Sequence, residues 1–299
     1  MTAPTPVLDL GTLEGPVLCF GGPYGNLQAT EALLGEAGRL GVPARNTICT
    51  GDMAAYCADA AATVALLRQA GVRVLMGNCE EALGLGRADC GCGFEADSPC
   101  DALAREWFAD AALALDARAK AWMGRLPRRI RFVLEGRRFA VVHGGAGDIA
   151  RFIFASSPAE VFREEFALLG RETPTDAVVA GHCGLPFSAR VDGRLWHNPG
   201  VIGMPANDGR PEVWYSLLVP ISGGIEIRHV PLAYDHEAAA RRMNQAGLAR
   251  PYAEALESGL WPDMGVLPGP ERLRRGKPLA PGRLFWTGAE TGGDRNRAA

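Results

Sequence analysis

Through the first third of the chain, short apolar runs that stop at small-residue turns alternate with segments of helical period. This alternation predicts repeated strand–loop–helix units. Pro16 to Phe20 is apolar and stops at Gly21-Gly22-Pro23, after which Leu27 to Leu40 carries apolar residues at helical spacing. Asn46 to Thr50 stops at Gly51-Asp52 and leads to a helical segment from Thr63 to Ala70; Val72 to Met76 then ends at Gly77-Asn78. Such units build an α/β domain whose ligand-binding residues gather on loops at the carboxyl ends of strands. The rhythm breaks between Glu81 and Pro127, where the stretch Cys90-Gly91-Cys92-Gly93 precedes helical segments around Leu103 to Phe108 and Ala117 to Met123. We read residues 81–127 as an insertion that caps the strand ends. Strands resume at Arg129 to Leu134 and Phe139 to Val142, flanking the turn Glu135-Gly136. Val142 runs into His143-Gly144-Gly145, and Ala177 to Ala180 meets Gly181-His182 in the same way. A tight hairpin at Asp192-Gly193 and an antiparallel pair, Val213 to Val219 with Gly224 to Pro231, make the second half β-rich. From Asp235 the pattern is helical to about Glu257 and then rich in Pro and Gly through Leu284, with a disordered tail expected from Thr287 to Ala299.

Composition narrows this picture. The 299 residues suffice for one large domain, or one with an appendage, which we divide as 1–232 and a C-terminal extension over 233–299. Lys and Arg number 31 against 34 Asp and Glu, a formal charge of −3, which excludes a basic surface that binds duplex nucleic acid by neutralising phosphates. Any anion must be held by a local site. No apolar run reaches the roughly 18–20 residues of a membrane helix. Residues 1–18 lack the basic flank and long apolar stretch of a secretory signal, so a reducing, cytoplasmic setting is expected. In that setting the eight cysteines read as ligands, reactive thiols or small core residues before they read as disulfides.

Four polar residues share one context, a strand that ends in a small-residue turn: Asp52 after Gly51, Asn78 after Gly77, His143 before Gly144 and His182 after Gly181. Each alone reads as a helix cap or a turn residue. Together they form a mixed oxygen and nitrogen ligand set suited to Fe, Mn or Zn rather than to Mg or Ca, which favour all-oxygen cages.

In order and spacing, Gly25-Asn26-Leu27, Gly51-Asp52, Gly77-Asn78, Val142-His143-Gly144, Gly181-His182 and Asn198-Pro199-Gly200 resemble the calcineurin-like metallophosphoesterases. The likeness is to their small bacterial and archaeal branch of phosphodiesterases and diadenosine-tetraphosphate hydrolases, and it runs from about Val17 to Val219. It implies a four-layer α-β-β-α sandwich, here with a Cys-rich helical insertion and a C-terminal helical extension. It also implies a metal centre at the strand ends that hydrolyses phosphate esters through an activated water. Where the family carries Asp-x-His on its first loop this chain has Gly22-Pro23-Tyr24; for Gly-Asn-His it has Gly77-Asn78-Cys79, and for Gly-His-x-His it has Gly181-His182-Cys183-Gly184. The resemblance therefore places Asp52, Asn78, His143 and His182 as ligands of the family's second metal. Ligands of the first are missing at Gly22, Tyr24 and Gly184. The expected cofactor is one transition-metal ion.

Several residues are expected to compensate. Tyr24 is placed to donate a hydrogen bond to a phosphate oxygen, Cys79 takes the position of the family's general acid, and Asn26 and Arg151 are candidate substrate contacts, the latter as an anion clamp. Glu80 reads as a helix-start residue or a proton shuttle, and His197 as a core residue or a substitute ligand; His229 and His236 read as surface. Cys79, Cys90, Cys92 and Cys100 match no paired zinc knuckle. They leave open a cysteine-ligated metal, a redox-active disulfide, or plain packing. Two functions stand open: a metal-dependent phosphoesterase acting on a phosphorylated small molecule or nucleotide, and a non-catalytic relative that binds such a ligand or senses metal or redox state.

Overall fold

The computed structural model describes residues 6–94 and 98–288. In chain order its elements are β1 (Val7–Thr12), β2 (Val17–Phe20), α1 (Leu27–Arg39), β3 (Thr47–Cys49), α2 (Ala60–Ala70), β4 (Arg73–Val74), α3 (Asn78–Leu85), α4 (Pro99–Ala114) and α5 (Ala117–Met123). There follow β5 (Arg129–Leu134), β6 (Arg137–Val141), α6 (Ala159–Gly170), β7 (Ala177–Val179), β8 (Phe187–Val191), β9 (Arg194–Asn198), β10 (Val213–Ile221) and β11 (Gly224–Leu232). The chain closes with α7 (His236–Ala246), α8 (Arg250–Ser258), α9 (Gly269–Arg272) and β12 (Gly282–Trp286).

The strands form two six-stranded sheets. One has the order β1-β5-β6-β7-β9-β8 and the other β12-β11-β10-β2-β3-β4. Within the second, β2, β3 and β4 run parallel, as strand–loop–helix units require. Strand alternation explains the stacking. In β2, Val17 and Cys19 point between the sheets, where they meet Ile48, Ile130, Val141, Val179 and Leu218, while Leu18 and Phe20 point the other way, into the helices. On that outer face α1 offers Ala29, Leu33 and Ala37, spaced by four, and α7 and α8 add Met243 and Leu256. Helix α6 covers the first sheet with Phe162, Phe166 and Leu169 against Val178 and Trp196. The result is helix, sheet, sheet, helix. Both hairpin turns adopt the expected left-handed pair, Glu135-Gly136 at φ 49° and 67° and Asp192-Gly193 at φ 51° and 76°.

The structure adds to the sequence reading in three places. The insertion does more than cap the strand ends: its Cys92 and Phe94 do line a cavity there, but α4 and α5 pack beside α2 and α3, with Trp107, Phe108 and Met123 in the same core as α1. The C-terminal extension is not an appendage, because α7 and α8 share that core and β12 pairs with β11 at the sheet edge. Strand β1, which the sequence pattern did not predict, pairs with β5. The expected disordered tail lies, from residue 289 onward, outside the described residues.

Two side chains tie the sheets together. His197 of β9 is fully buried, with Nδ1 2.9 Å from Ser188 Oγ and Nε2 2.7 Å from Ser216 Oγ on β10 of the other sheet. Burial, and then His229, hold its pKa well below the ordinary value, and because both ring nitrogens are engaged by serines it is a neutral strut and not a ligand. His229 is also no surface residue; its ring lies 4.8 Å from that of His197 and its Nε2 is 3.0 Å from the Asn198 carbonyl. Trp286 of β12 enters the layer between the sheets, meets Phe139 edge-on at 5.9 Å and donates Nε1–H to the Gly193 carbonyl at 3.0 Å. Trp286→Ala should lower stability by about 3–5 kcal/mol through the cavity left between the sheets, measured as a fall in the urea midpoint.

Candidate metal centre

Four loops at the carboxyl ends of strands meet at one point, two from each sheet. Asp52 follows β3 and Asn78 follows β4 in the second sheet; His143 follows β6 and His182 follows β7 in the first. Their approach needs backbone without side chains. A Cβ on Gly77 would lie 2.3 Å from Asp52 Oδ1, and one on Gly51, whose φ is 101°, would lie 2.6 Å from the Gly77 nitrogen. Tyr24, Asp52 and His182 themselves sit in the left-handed region at φ 53°, 59° and 60°. Such strain in non-glycine residues persists only where the surroundings over-determine it, and it clusters at functional sites.

Glu80 supplies much of that determination. It is fully buried; Oε2 accepts the N–H groups of Asp52 at 2.7 Å and Gly77 at 2.9 Å, and Oε1 accepts that of Met53 at 2.7 Å. Both oxygens are spent on backbone, which gives Glu80 a structural role in place of a proton shuttle. Burial and the Asp52 carboxylate push it up to about 7 against the pull of those donors. One carboxylate thus joins the Asp52 loop to the start of α3, where Asp52 Oδ1 also accepts the Cys79 N–H at 3.2 Å.

His143 lies at the centre of the cluster. Its Nδ1 is 2.6 Å from the Thr50 carbonyl, so that nitrogen carries the proton and donates. Nε2 then faces three further ligand-type atoms: Asn78 Oδ1 at 2.9 Å, Asp52 Oδ2 at 3.1 Å and His182 Nδ1 at 3.1 Å. Asn78 is turned this way because its Nδ2 donates to the Cys90 carbonyl at 2.9 Å. Lone pairs so gathered in a buried place call for a positive centre. The histidines express the same demand: burial lowers His143, but Asp52 outweighs it and raises the group, whereas burial and the charge on His143 lower His182 to about 3. Burial likewise raises Asp52, yet His143 and then His182 hold it below its ordinary value. His143 Nε2 has three donor atoms at 2.9–3.1 Å, the distances expected between neighbouring ligands of one ion bound at about 2.1 Å, so the residues present fit a metal ion. Metal sites commonly fix a ligating ring through a backbone carbonyl on its other nitrogen, the contact Thr50 makes with His143. The ligating atoms of Asp52, His143 and His182 all lie within 4.8 Å of one another.

Aromatic rings stand where the missing ligands would be. A Cβ on Gly22 would lie 2.3 Å from Cζ of Tyr24, whose ring folds back over that glycine, and one on Gly184 would lie 3.3 Å from the Trp261 ring. Tyr24 is buried, and its phenol is held neutral by burial and then by the Asp52 charge. Tyr24, Asp52 and His182 line one cavity together with Tyr56, Phe94, Phe152, Tyr252 and Trp261. Phe152 lies against the His182 ring with centroids 4.2 Å apart. No Lys or Arg lines this cavity among the described residues.

Other candidates from the sequence are placed elsewhere. Asn26 caps α1, its Oδ1 accepting the Ala29 N–H at 3.1 Å and its Nδ2 donating to the Gly203 carbonyl and the Tyr234 hydroxyl, so its polar atoms are consumed by the fold. Arg151 pairs with Glu164 at 2.9 Å and with the buried Glu165 at 2.7 Å and does not line the cavity. Cys79 is buried off the cavity, and burial, then Asp52 and Glu80, keep its thiol protonated. Cys90 and Cys92 form a disulfide, and Cys92 lines the cavity; Cys100 lies outside the described side chains. Glu80 had a legible signal, three residues after the cap Gly77 at the start of α3. Tyr252 and Trp261 had none, since only the return of the extension brings them to the site.

The profile of the calcineurin-like phosphoesterase superfamily domain matches residues 26–219. Among solved structures, a metallophosphoesterase from Sphaerobacter thermophilus is 22% identical with a TM-score of 0.63, covering 83% of this chain and 100% of its own. A hypothetical protein from Pyrococcus horikoshii OT3 is 13% identical with a TM-score of 0.68, covering 82% and 99%. At these identities the likeness concerns the fold. No curated protein matches the chain. The profile match spans most of the described sandwich and all four converging side chains, and the chain belongs to the calcineurin-like phosphoesterase superfamily.

Proposed function

We propose that this protein hydrolyses a phosphodiester bearing an apolar or aromatic substituent, at a centre holding one Fe, Mn or Zn ion. The observation that carries the reading is the convergence of Asp52, Asn78, His143 and His182, of which Asp52 and His182 line an aromatic cavity. Superfamily enzymes are metal-dependent phosphoesterases, and a bound ion would supply an activated water and polarise a phosphoryl oxygen. One ion is proposed because Tyr24 and Trp261 crowd the positions whose ligands are absent.

The chain's own residues set the rest. Asp52, Asn78, His143 and His182 would hold the ion, with Thr50 and Glu80 fixing their orientation. Tyr24 offers a neutral hydroxyl for a developing charge on phosphorus-bound oxygen. With no Lys or Arg in the cavity, substrate charge has to be met by the ion and a few donors. A diester carries one negative charge and a monoester up to two, so the diester suits a site that already holds Asp52 and Asp263. Tyr56, Tyr252 and Trp261 present apolar faces for a substituent.

Protein purified without chelator should contain one transition-metal ion per chain by elemental analysis, and His143→Ala should contain less than a tenth of that. With Mn, Fe or Zn supplied, bis-p-nitrophenyl phosphate should be turned over in preference to p-nitrophenyl phosphate, and Asp52→Asn should abolish turnover. Nucleotide binding without turnover in the metal-loaded protein would favour the non-catalytic reading instead. Tyr24→Phe should lower kcat by about tenfold or more at unchanged metal content. Glu80→Ala leaves three buried N–H groups without an acceptor, at about 1–3 kcal/mol each, and loosens Asp52. It should lower both the urea midpoint and, by about 10–100-fold, the affinity for metal in a chelator competition.

A further inference from the structure

The Cys90–Cys92 disulfide stands at the metal centre, and none of the roles derived above explains it. Asn78, one of the four converging side chains, spans the gap: its Oδ1 is 2.9 Å from His143 Nε2, and its Nδ2 donates to the Cys90 carbonyl at 2.9 Å and lies 3.4 Å from Cys92 Sγ. The Cys92 carbonyl faces the His182 ring. Cys92 also lines the same cavity as Asp52 and His182, and its sulfur stands beside the amide of Asn78. The loop has room to adjust there, since Gly91 is already left-handed at φ 60° with nothing within 4 Å of a Cβ position. We infer that Cys92 is a masked metal ligand, which opening of the disulfide releases to join Asp52, Asn78, His143 and His182.

The chemistry balances with a dithiol reductant. Its two thiols pass two electrons and two protons to the Cys90–Cys92 bond, which breaks as the dithiol closes into its own disulfide. Cys92 then gives up its proton to solvent on binding the ion as a thiolate. A soft sulfur ligand shifts the centre's preference towards zinc and other thiophilic ions. The inference rests on the metal centre proposed above, but a separate signal tests it.

The test is cobalt(II) titration of the full chain, oxidised and after treatment with excess dithiol that is then removed. Visible d–d absorption reports cobalt at the centre in either state, and an intense near-ultraviolet thiolate-to-cobalt charge-transfer band reports sulfur ligation. The visible bands are expected in both states, and the ultraviolet band only after reduction. Cys92→Ser should keep the visible bands and lose the ultraviolet band, whereas Cys90→Ser, which frees Cys92 without a reductant, should show that band at once. Visible bands without the ultraviolet band in both reduced wild type and Cys90→Ser would overturn the inference and leave the metal centre intact. An ultraviolet band that survives in Cys92→Ser would also overturn it, by assigning the ligand to another cysteine. Absence of visible bands in every form would overturn the metal centre and this inference together.

Discussion

The contact between His143 and the end of β3 is the joint on which the site depends. The two sheets arrive from different parts of the chain, and their inner faces are held by apolar packing, which sets their separation but specifies no direction. His143, from the first sheet, donates to the Thr50 carbonyl of the second and turns its remaining lone pair towards Asp52, Asn78 and His182. A hydrogen bond 2.6 Å long in a dry interior is directional as packing is not. It fixes where two pairs of loops meet. The glycines at 51 and 77 and the left-handed backbone at Asp52 and His182 are what that meeting costs, and the Glu80 carboxylate offsets it by satisfying three N–H groups of the same loops.

The missing ligands and the aromatic cavity are one structural change seen from two sides. Gly22 admits the Tyr24 ring because it has no side chain of its own, and Gly184 admits Trp261 for the same reason. Replacing polar ligands with rings removes lone pairs that would otherwise be buried without a cation, a cost that several unpaired groups together would make prohibitive. It also changes what the cavity can hold, since flat apolar walls reward flat apolar groups. The C-terminal extension takes part through Tyr252 and Trp261, so the wall of the site is built by residues beyond the matched domain.

Local signals made much of this legible in the sequence. The parallel strands β2, β3 and β4 could be read because each is a short apolar run ending in glycine, and the two hairpins because Glu135-Gly136 and Asp192-Gly193 suit left-handed turns. Asp52, Asn78, His143 and His182 shared one recognisable context. Arg151 and Asn26 misled for a common reason: a polar side chain near a motif looks available until its partners are known, and Glu165 and the α1 cap had already claimed them. Strand β1 was missed because its alternation, Val7 to Thr12, is interrupted by Asp9 and Gly11 and its partner β5 lies far along the chain. The packing of the insertion could be read only in part, because apolar faces on α4 and α5 show that they must be buried but not against what.

The fold class and the placing of Asp52, Asn78, His143 and His182 at strand ends are legible in the chain alone, and the family resemblance marks Gly22, Tyr24 and Gly184 as departures from its motifs. These follow from periodicity, from turn chemistry and from residue identity, all of which act over a few neighbours. Long-range packing decides that the four loops converge, that the Tyr24 and Trp261 rings lie over Gly22 and Gly184, that Glu80 is a clamp, and that Cys92 stands beside Asn78. Each of these depends on which surfaces two sheets and a returning extension bury together. That burial is settled by the packing of the whole chain, and no local pattern encodes it.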